Sequence, residues 1–320
     1  MIELDRAQAR LQNIRSVQPI LSALHTISLG SWQAALNRQS RVQRYMERLE
    51  TLLPVVAAHV PFPHPLFPLR IPRHEPAVRR SGQARGGEAR RGSVASTGEV
   101  KTVALVIGSE RGLCGRFNTA VVERAEAHLT GQKDDVELMA LGGRVRRVLE
   151  RHGRQVAWSG SLSITALPPF ELASHLSHRW LTRYEARELD AVDLIYNAYR
   201  GMGSYEPVVM RLIPPSPPLS PPQAGGMKGE EIPTIIETDP LSLYTHVIEQ
   251  WTATRLYELL LESAAAEHSA RYELMGSATQ NTDRLVAELT LAIQTARQQA
   301  ITQEMQELAA GAGMIGMRNR

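Results

Sequence analysis

The chain has 320 residues, of which 43% are hydrophobic and 22% are charged, a balance that supports one or two folded domains. A formal net charge of +3 is too small an excess to mark a nucleic-acid-binding protein. The single cysteine, Cys114, excludes a disulfide within the chain and a cysteine-based zinc site. The charged N-terminus predicts no secretory signal, and every apolar run is too short to cross a bilayer.

Residues 1–60 are predicted to form a long N-terminal helix. Apolar and then small residues recur along it at spacings of three and four, at Ile14, Val17, Leu21, Leu24, Ser28, Ser31 and Ala35. This narrow seam is typical of a coiled coil. Pro19 lies inside the pattern and is expected to kink the helix or to mark its start.

Two segments have the composition of linkers. Residues 61–100 begin with six prolines and continue as a run of Arg, Gly and Ser, which cannot build a core and predicts a solvated linker. Residues 214–231 form a second Pro-rich insert, and residues 232–239 are predicted to return as a strand.

Residues 101–213 alternate strand and helix patterns. The first strand, "KTVALVIG", is a continuous apolar run, as expected for a strand that is covered on both faces. The alternation predicts a three-layer, Rossmann-like α/β domain with a mostly parallel sheet. The last two strands are separated only by "RGMGS", which favours an antiparallel hairpin at the end of the domain.

Residues 240–315 are predicted to form a second, much longer helix, capped by Asp239 and beginning at Pro240. Its seam, many of whose positions are small, consists of Met275, Ala278, Thr282, Leu285, Leu289, Ala292 and Ala296. A helix of this length needs a partner over much of its course, and the N-terminal helix is the only other long one. The predicted fold class is therefore α/β plus a coiled coil of antiparallel terminal helices.

The loop "GSERGLCGRFN", residues 108–118, has the setting of a phosphate-binding loop but not its chemistry. It lacks both the lysine and spacing of a Walker loop and the glycine pattern of a dinucleotide fingerprint. Gly112, Gly115 and Asn118 are predicted to form a structural turn from strand into helix, with Asn118 or Ser109 as the cap. A ligand site remains the alternative.

No other constellation indicates catalysis. Cys114 has no histidine in a recognisable catalytic context, so a buried inert thiol is favoured over a nucleophile. His175 and His178 lie one helical turn apart, but no carboxylate beside them completes a metal site. The sequence predicts no cofactor and no metal.

Two stretches resemble one known family. "GSERGLCGRFN" is similar to the "SDRGLCGGFN" turn of the gamma subunits of F-type ATP synthases, and "ATQNTDRLVAELTLAIQTARQQAITQEMQELAAGAG" resembles their C-terminal motif. The motifs occur in the family's order around an α/β domain. The N-terminal "NIRSVQPILSALHTISLG" resembles more closely the gamma chains of alternative, N-type ATPases or a divergent gamma-like protein.

The resemblance implies a non-catalytic rotor that transmits rotation between an ion-driven membrane ring and an alpha/beta hexamer. It implies alpha, beta and epsilon subunits and the membrane c-ring as partners, and a peripheral position on the cytoplasmic face of the cell membrane. In the family the segment matching Arg297, Gln298, Thr302 and Glu304 contacts the beta catch loops. The alternatives are a gamma-like scaffold outside the ATPase and a nucleotide-binding α/β protein.

Overall fold

The computed structural model describes residues 2–60, 101–130, 136–217 and 237–317. The predicted linker 61–100 and most of the Pro-rich insert lie outside these ranges. So does most of the strand predicted over 232–239, and its last three residues are in no strand. The elements in chain order are α1 Ile2–Ala57, β1 Thr102–Ile107, α2 Phe117–Thr130, β2 Val136–Leu141, α3 Gly143–Arg151, β3 Trp158–Gly160, α4 Phe170–Glu185, β4 Ala191–Gly201, β5 Ser204–Ile213 and α5 Pro240–Met317.

The sheet has five strands in the order β3-β2-β1-β4-β5. Three neighbouring pairs are parallel, and β4 and β5 form the expected antiparallel hairpin. All six residues of β1 are buried because helices cover both faces of the sheet. Val103, Leu105 and Ile107 face a core shared with α4 and α5, whereas Ala104 and Val106 face α2 and α3.

The two terminal helices pair in opposite directions. Gln18 of α1 donates a hydrogen bond to Asp283 of α5, whereas Gln43, farther along α1, donates to Glu258, farther back on α5. Between these contacts, the rings of His25 and Tyr272 stack with centroids 4.2 Å apart. The pair therefore keeps one antiparallel register over most of the length of α1.

The α/β domain packs against one end of the helix pair. The C-terminal part of α1 contributes Met46, Leu49 and Leu53 to the main core, and the N-terminal part of α5 contributes residues from Tyr244 to Leu261. The 78 residues of α5 span about 117 Å at 1.5 Å per residue. Much of the helix pair therefore projects beyond the sheet.

The helix ends and the seam partly follow the sequence prediction. Asp239 caps α5 as expected, since its Oδ2 accepts a hydrogen bond from the Ser242 N–H at 2.9 Å. Helix α1 is continuous through Pro19 and Pro54, so Pro19 does not mark its start.

Two predicted seam residues were wrong. The side chain of Val17 is 47% exposed, and the adjacent Gln18 pairs with α5 instead. Ala292 is exposed, while its neighbour Ile293 is buried. The spacing of three and four allowed either neighbour, and the crossing of the two helices selected one. No helix in the described ranges is long and apolar enough to span a membrane.

Candidate functional site

The loop from β1 to α2 is closed by hydrogen bonds among its own residues. The N–H of Ser109 donates to Asn118 Oδ1 at 2.9 Å, and Asn118 Nδ2 donates back to Ser109 Oγ at 2.7 Å. The Ser109 hydroxyl donates to the carbonyl oxygen of Arg111. Asn118 lies inside α2 and clamps the end of β1, so its side chain does not serve as the helix cap that the sequence suggested.

A carboxylate of the chain occupies the place where an anion would bind. Glu110 Oε2 accepts hydrogen bonds from the N–H of Gly143 at 3.0 Å and from the N–H of Leu162 at 2.8 Å. Gly143 is the first residue of α3, whose first turn contains no acidic residue of its own. A helix N-terminus favours negative charge, and Glu110 supplies that charge from within the loop.

The glycines of this region have different roles. Gly115 has a φ of 60° and Gly142 a φ of 112°, conformations that side chains rarely adopt. A Cβ at Gly108 would lie 2.5 Å from the Cβ of Val145, so α3 packs directly on that backbone. Gly112 has neither a positive φ nor a close neighbour, while the adjacent Leu113 takes a φ of 66°.

Three backbone N–H groups that a phosphate cradle at this loop would use already have protein acceptors. Such a cradle needs backbone N–H groups that point at the ligand. Those of Gly108, Ser109 and Gly143 already donate to protein oxygens. The sequence did not single out Glu110 or Gly142. Their only signal was an acidic residue directly after a strand, together with a glycine pair before a helix that lacks an acidic first turn.

Cys114 belongs to the same hydrogen-bond network, and its thiol is inert. It is buried, and its Sγ is 3.6 Å from Ser109 Oγ. Burial, together with the nearby Glu267 carboxylate, raises the pKa of the Cys114 thiol, so the thiol stays protonated at neutral pH. In the described ranges no group of three or more His, Cys, Asp or Glu side chains could hold a metal ion.

The four predicted partner-contact residues lie together on the far part of α5. Arg297, Gln298, Thr302 and Glu304 are all exposed. The hydroxyl of Thr302 donates to the carbonyl oxygen of Gln298 at 2.8 Å, a bond within the helix. No other described side chain contacts Arg297 or Glu304 through a hydrogen bond or ion pair.

The same part of α5 exposes large apolar side chains. Ile301 is 58% exposed, Met305 is 66% exposed and Leu308 is 73% exposed. Gln18 pairs with Asp283 and α1 spans Ile2–Ala57, so at equal rise per residue α1 accompanies α5 only as far as about residue 300. The exposed stripe therefore has no partner within the helix pair.

These features define a class of protein, in which a mixed α/β domain packs on one end of a long antiparallel helix pair. The loop after β1 is held by hydrogen bonds from the chain itself, and the far end of α5 has no partner among the described residues. Residues 3–314 match a family model described as ATP synthase. The ATP synthase gamma chain of Pelotomaculum thermopropionicum is 28% identical over 316 residues, covering 98% of this chain and 100% of that relative. The gamma chain of Rubrobacter xylanophilus is 30% identical over 316 residues, with 98% of each chain covered.

Solved structures show the same fold. A chain of the Euglena gracilis mitochondrial ATP synthase, in the OSCP/F1/c-ring assembly, matches with a TM-score of 0.60 at 13% identity, covering 98% of this chain and 94% of that chain. A chain of the rotor of the same enzyme matches with a TM-score of 0.56 at 13% identity, with 93% and 99% covered. The chain belongs to the ATP synthase gamma chain family.

Proposed function

We propose that this chain is the central stalk of an F-type ATP synthase. It would couple ion flow through a membrane rotor to ATP synthesis or hydrolysis in a hexamer of alpha and beta subunits. The family match supports this function because it covers nearly the whole chain, residues 3–314. In this role the chain carries no active site of its own and acts as a rigid, asymmetric transmission element.

The observation that carries the proposal is the bare end of α5. A contiguous exposed apolar stripe marks an interaction surface, and Ile301, Met305 and Leu308 form one that no other described residue covers. A central stalk needs such an end, because it must turn against several neighbouring subunits. Short apolar contacts with few ion pairs would let it turn without strong directional attachment.

This placement supports the proposed partner contacts. Arg297, Gln298, Thr302 and Glu304 lie on the stretch where α5 begins to run alone, and their exposed groups are available to the beta catch loops. The α/β domain at the opposite end would rest on the epsilon subunit and the membrane c-ring. The chain would thus lie at the cytoplasmic face of the cell membrane as a peripheral subunit.

The division of the chain is part of the proposal. Residues 1–60 and 240–315 would form the rotating coiled coil, and residues 101–213 the Rossmann-like domain that anchors it. The antiparallel register between α1 and α5 supports the coiled coil. The three parallel strand pairs support the Rossmann-like arrangement. The branch of N-type ATPases remains a prediction based on the N-terminal residues.

Reconstitution with its partner subunits tests the proposal. The full chain and a chain lacking its last 20 residues would be assembled with alpha, beta and epsilon subunits and the membrane ring. We expect the truncated assembly to lose ATP synthesis driven by an ion gradient, because the bare end of α5 is gone. A chain lacking only residues 318–320 serves as the control. An assembly without this chain that hydrolyses ATP and pumps ions normally would refute the proposal.

A further inference from the structure

A small cavity lies where α5 crosses the carboxyl end of β1. It has a volume of about 20 Å³ and is lined by the end of β1 at Gly108, by the segment after β3 at Ser163, and by α5 at Ser263, Glu267 and His268. A cavity needs roughly 10–15 Å³ of space for the centre of a water molecule to hold one, and the water needs two to four polar partners. Both conditions are met here.

His268 supplies a directed donor. Its Nδ1 lies 3.2 Å from Arg271 Nη1. An arginine guanidinium has only donors, so Nδ1 must accept and the ring proton must sit on Nε2. Burial, together with the positive charge of Arg271, lowers the pKa of His268 to about 4, so the ring is neutral at neutral pH. His268 is only 5% exposed, and no described protein group accepts from Nε2.

The cavity also contains a hydrogen-bond acceptor, the Glu267 carboxylate. Arg271 donates to Oε1 of Glu267, which leaves Oε2 of this largely buried carboxylate without a charged partner. On the open side of the cavity, the hydroxyl of the exposed residue Ser163 accepts from the N–H of Ala166 at 3.0 Å, which leaves its own proton available to donate. Glu267 Oε2 and His268 Nε2–H line this cavity without a hydrogen bond to any described protein group, so a bound water would give each of them a partner.

We propose that this cavity binds one water molecule, which accepts from His268 Nε2–H and donates to Glu267, and thereby joins α5 to the α/β domain. The Ser163 and Ser263 hydroxyls complete its shell. The water links the helix pair to the segment that follows β3, which Glu110 already ties to the loop at β1 through Leu162.

The first test is direct. A structure of the full chain in its assembly, at a resolution that shows ordered water, should contain a water within about 3.2 Å of His268 Nε2. Nitrogen-15 NMR of the histidine ring should show the neutral tautomer with the proton on Nε2 at pH 7. A dry cavity, or a ring protonated on Nδ1 at pH 7, would overturn the inference.

The second test displaces the water. Ser263→Val removes one hydroxyl and fills the cavity with methyl groups, whereas Ser277→Val makes the same change on an exposed position of α5. We expect Ser263→Val to lower the folding equilibrium constant roughly fivefold relative to Ser277→Val, the effect of one lost hydrogen bond. Equal or greater stability of Ser263→Val relative to that control would show that the site prefers to be dry and filled.

Discussion

Arg211 on β5 holds the buried carboxylate of Asp193 on β4 with two hydrogen bonds, from Nε to Oδ1 at 2.7 Å and from Nη2 to Oδ2 at 3.0 Å. His128 of α2 lies 2.9 Å from the same Oδ2. These contacts tie the antiparallel edge strand and α2 to one side chain. Burial opposes ionisation, but the bonds from Arg211 and His128 outweigh it and lower the pKa of Asp193.

Asp193→Asn should therefore destabilise the protein by about 2 kcal/mol at pH 7, because it removes a charged acceptor that is buried and doubly bonded. The matched control is Glu206→Gln, which breaks the exposed pair with Arg200 and should cost less than about 0.5 kcal/mol. Urea denaturation of both variants measures the difference. Equal losses of stability in Asp193→Asn and Glu206→Gln would show that the buried carboxylate contributes no more than an exposed ion pair.

The same carboxylate predicts a pH dependence. A lowered pKa in the folded state gives stability that is present above the unfolded value of about 3.9 and is lost as the pH falls through the folded pKa. The stability difference between the wild-type chain and Asp193→Asn should shrink as the pH is lowered from 6 towards 3. A difference that stays constant over this range would show that the carboxylate does not carry the effect.

Alanine substitutions at Gly142 and Gly112 should have very different effects on stability, although both residues lie in the same region. A Cβ at Gly142 would lie 2.7 Å from the carbonyl oxygen of Ser109, and its φ of 112° strains any side chain. Gly142→Ala should cost about 2–4 kcal/mol, whereas Gly112→Ala, with open space around it, should change stability by less than about 0.5 kcal/mol. Thermal denaturation compares the pair, and a mild effect at Gly142 would mean that the loop can move away.

Glu110 should matter to the loop as an internal anion. Glu110→Ala leaves the N–H groups of Gly143 and Leu162 without their acceptor and should cost about 1–3 kcal/mol. Glu150→Ala is the control, since it breaks only the exposed pair with Arg146 on the same helix. Chemical denaturation measures both. If Glu110→Ala is no worse than the control, water replaces the carboxylate at little cost.

The bare end of α5 should affect assembly and not folding. Because Ile301 and Met305 are exposed, replacing both by Ser should leave the free energy of unfolding of the isolated chain within about 0.5 kcal/mol of the wild-type value. Under the proposed function, the same variant should co-purify less with alpha and beta subunits. Glu288→Gln, on the side of α5 that α1 still accompanies, is the control. Unchanged co-purification would argue against contact at this stripe.

Local patterns were enough to predict much of this protein. A continuous apolar run specified β1 as a strand covered on both faces, and the short "RGMGS" connection specified the antiparallel pairing of β4 and β5. Asp239 and Pro240 marked the start of α5 because capping depends on residues close in sequence. The resemblance to the gamma family also rested on contiguous motifs, and the family match confirmed it.

Only the tertiary structure decided the contacts between distant residues. Periodicity could not choose between Val17 and Gln18 or between Ala292 and Ile293, because the crossing of two helices sets which side of a seam is covered. Nor could it place Glu110 at the N-terminus of α3, 33 residues along the chain. The loop "GSERGLCGRFN" has the sequence pattern of a turn. Only the packed structure shows that its Glu110 carboxylate binds the N–H groups of Gly143 and Leu162.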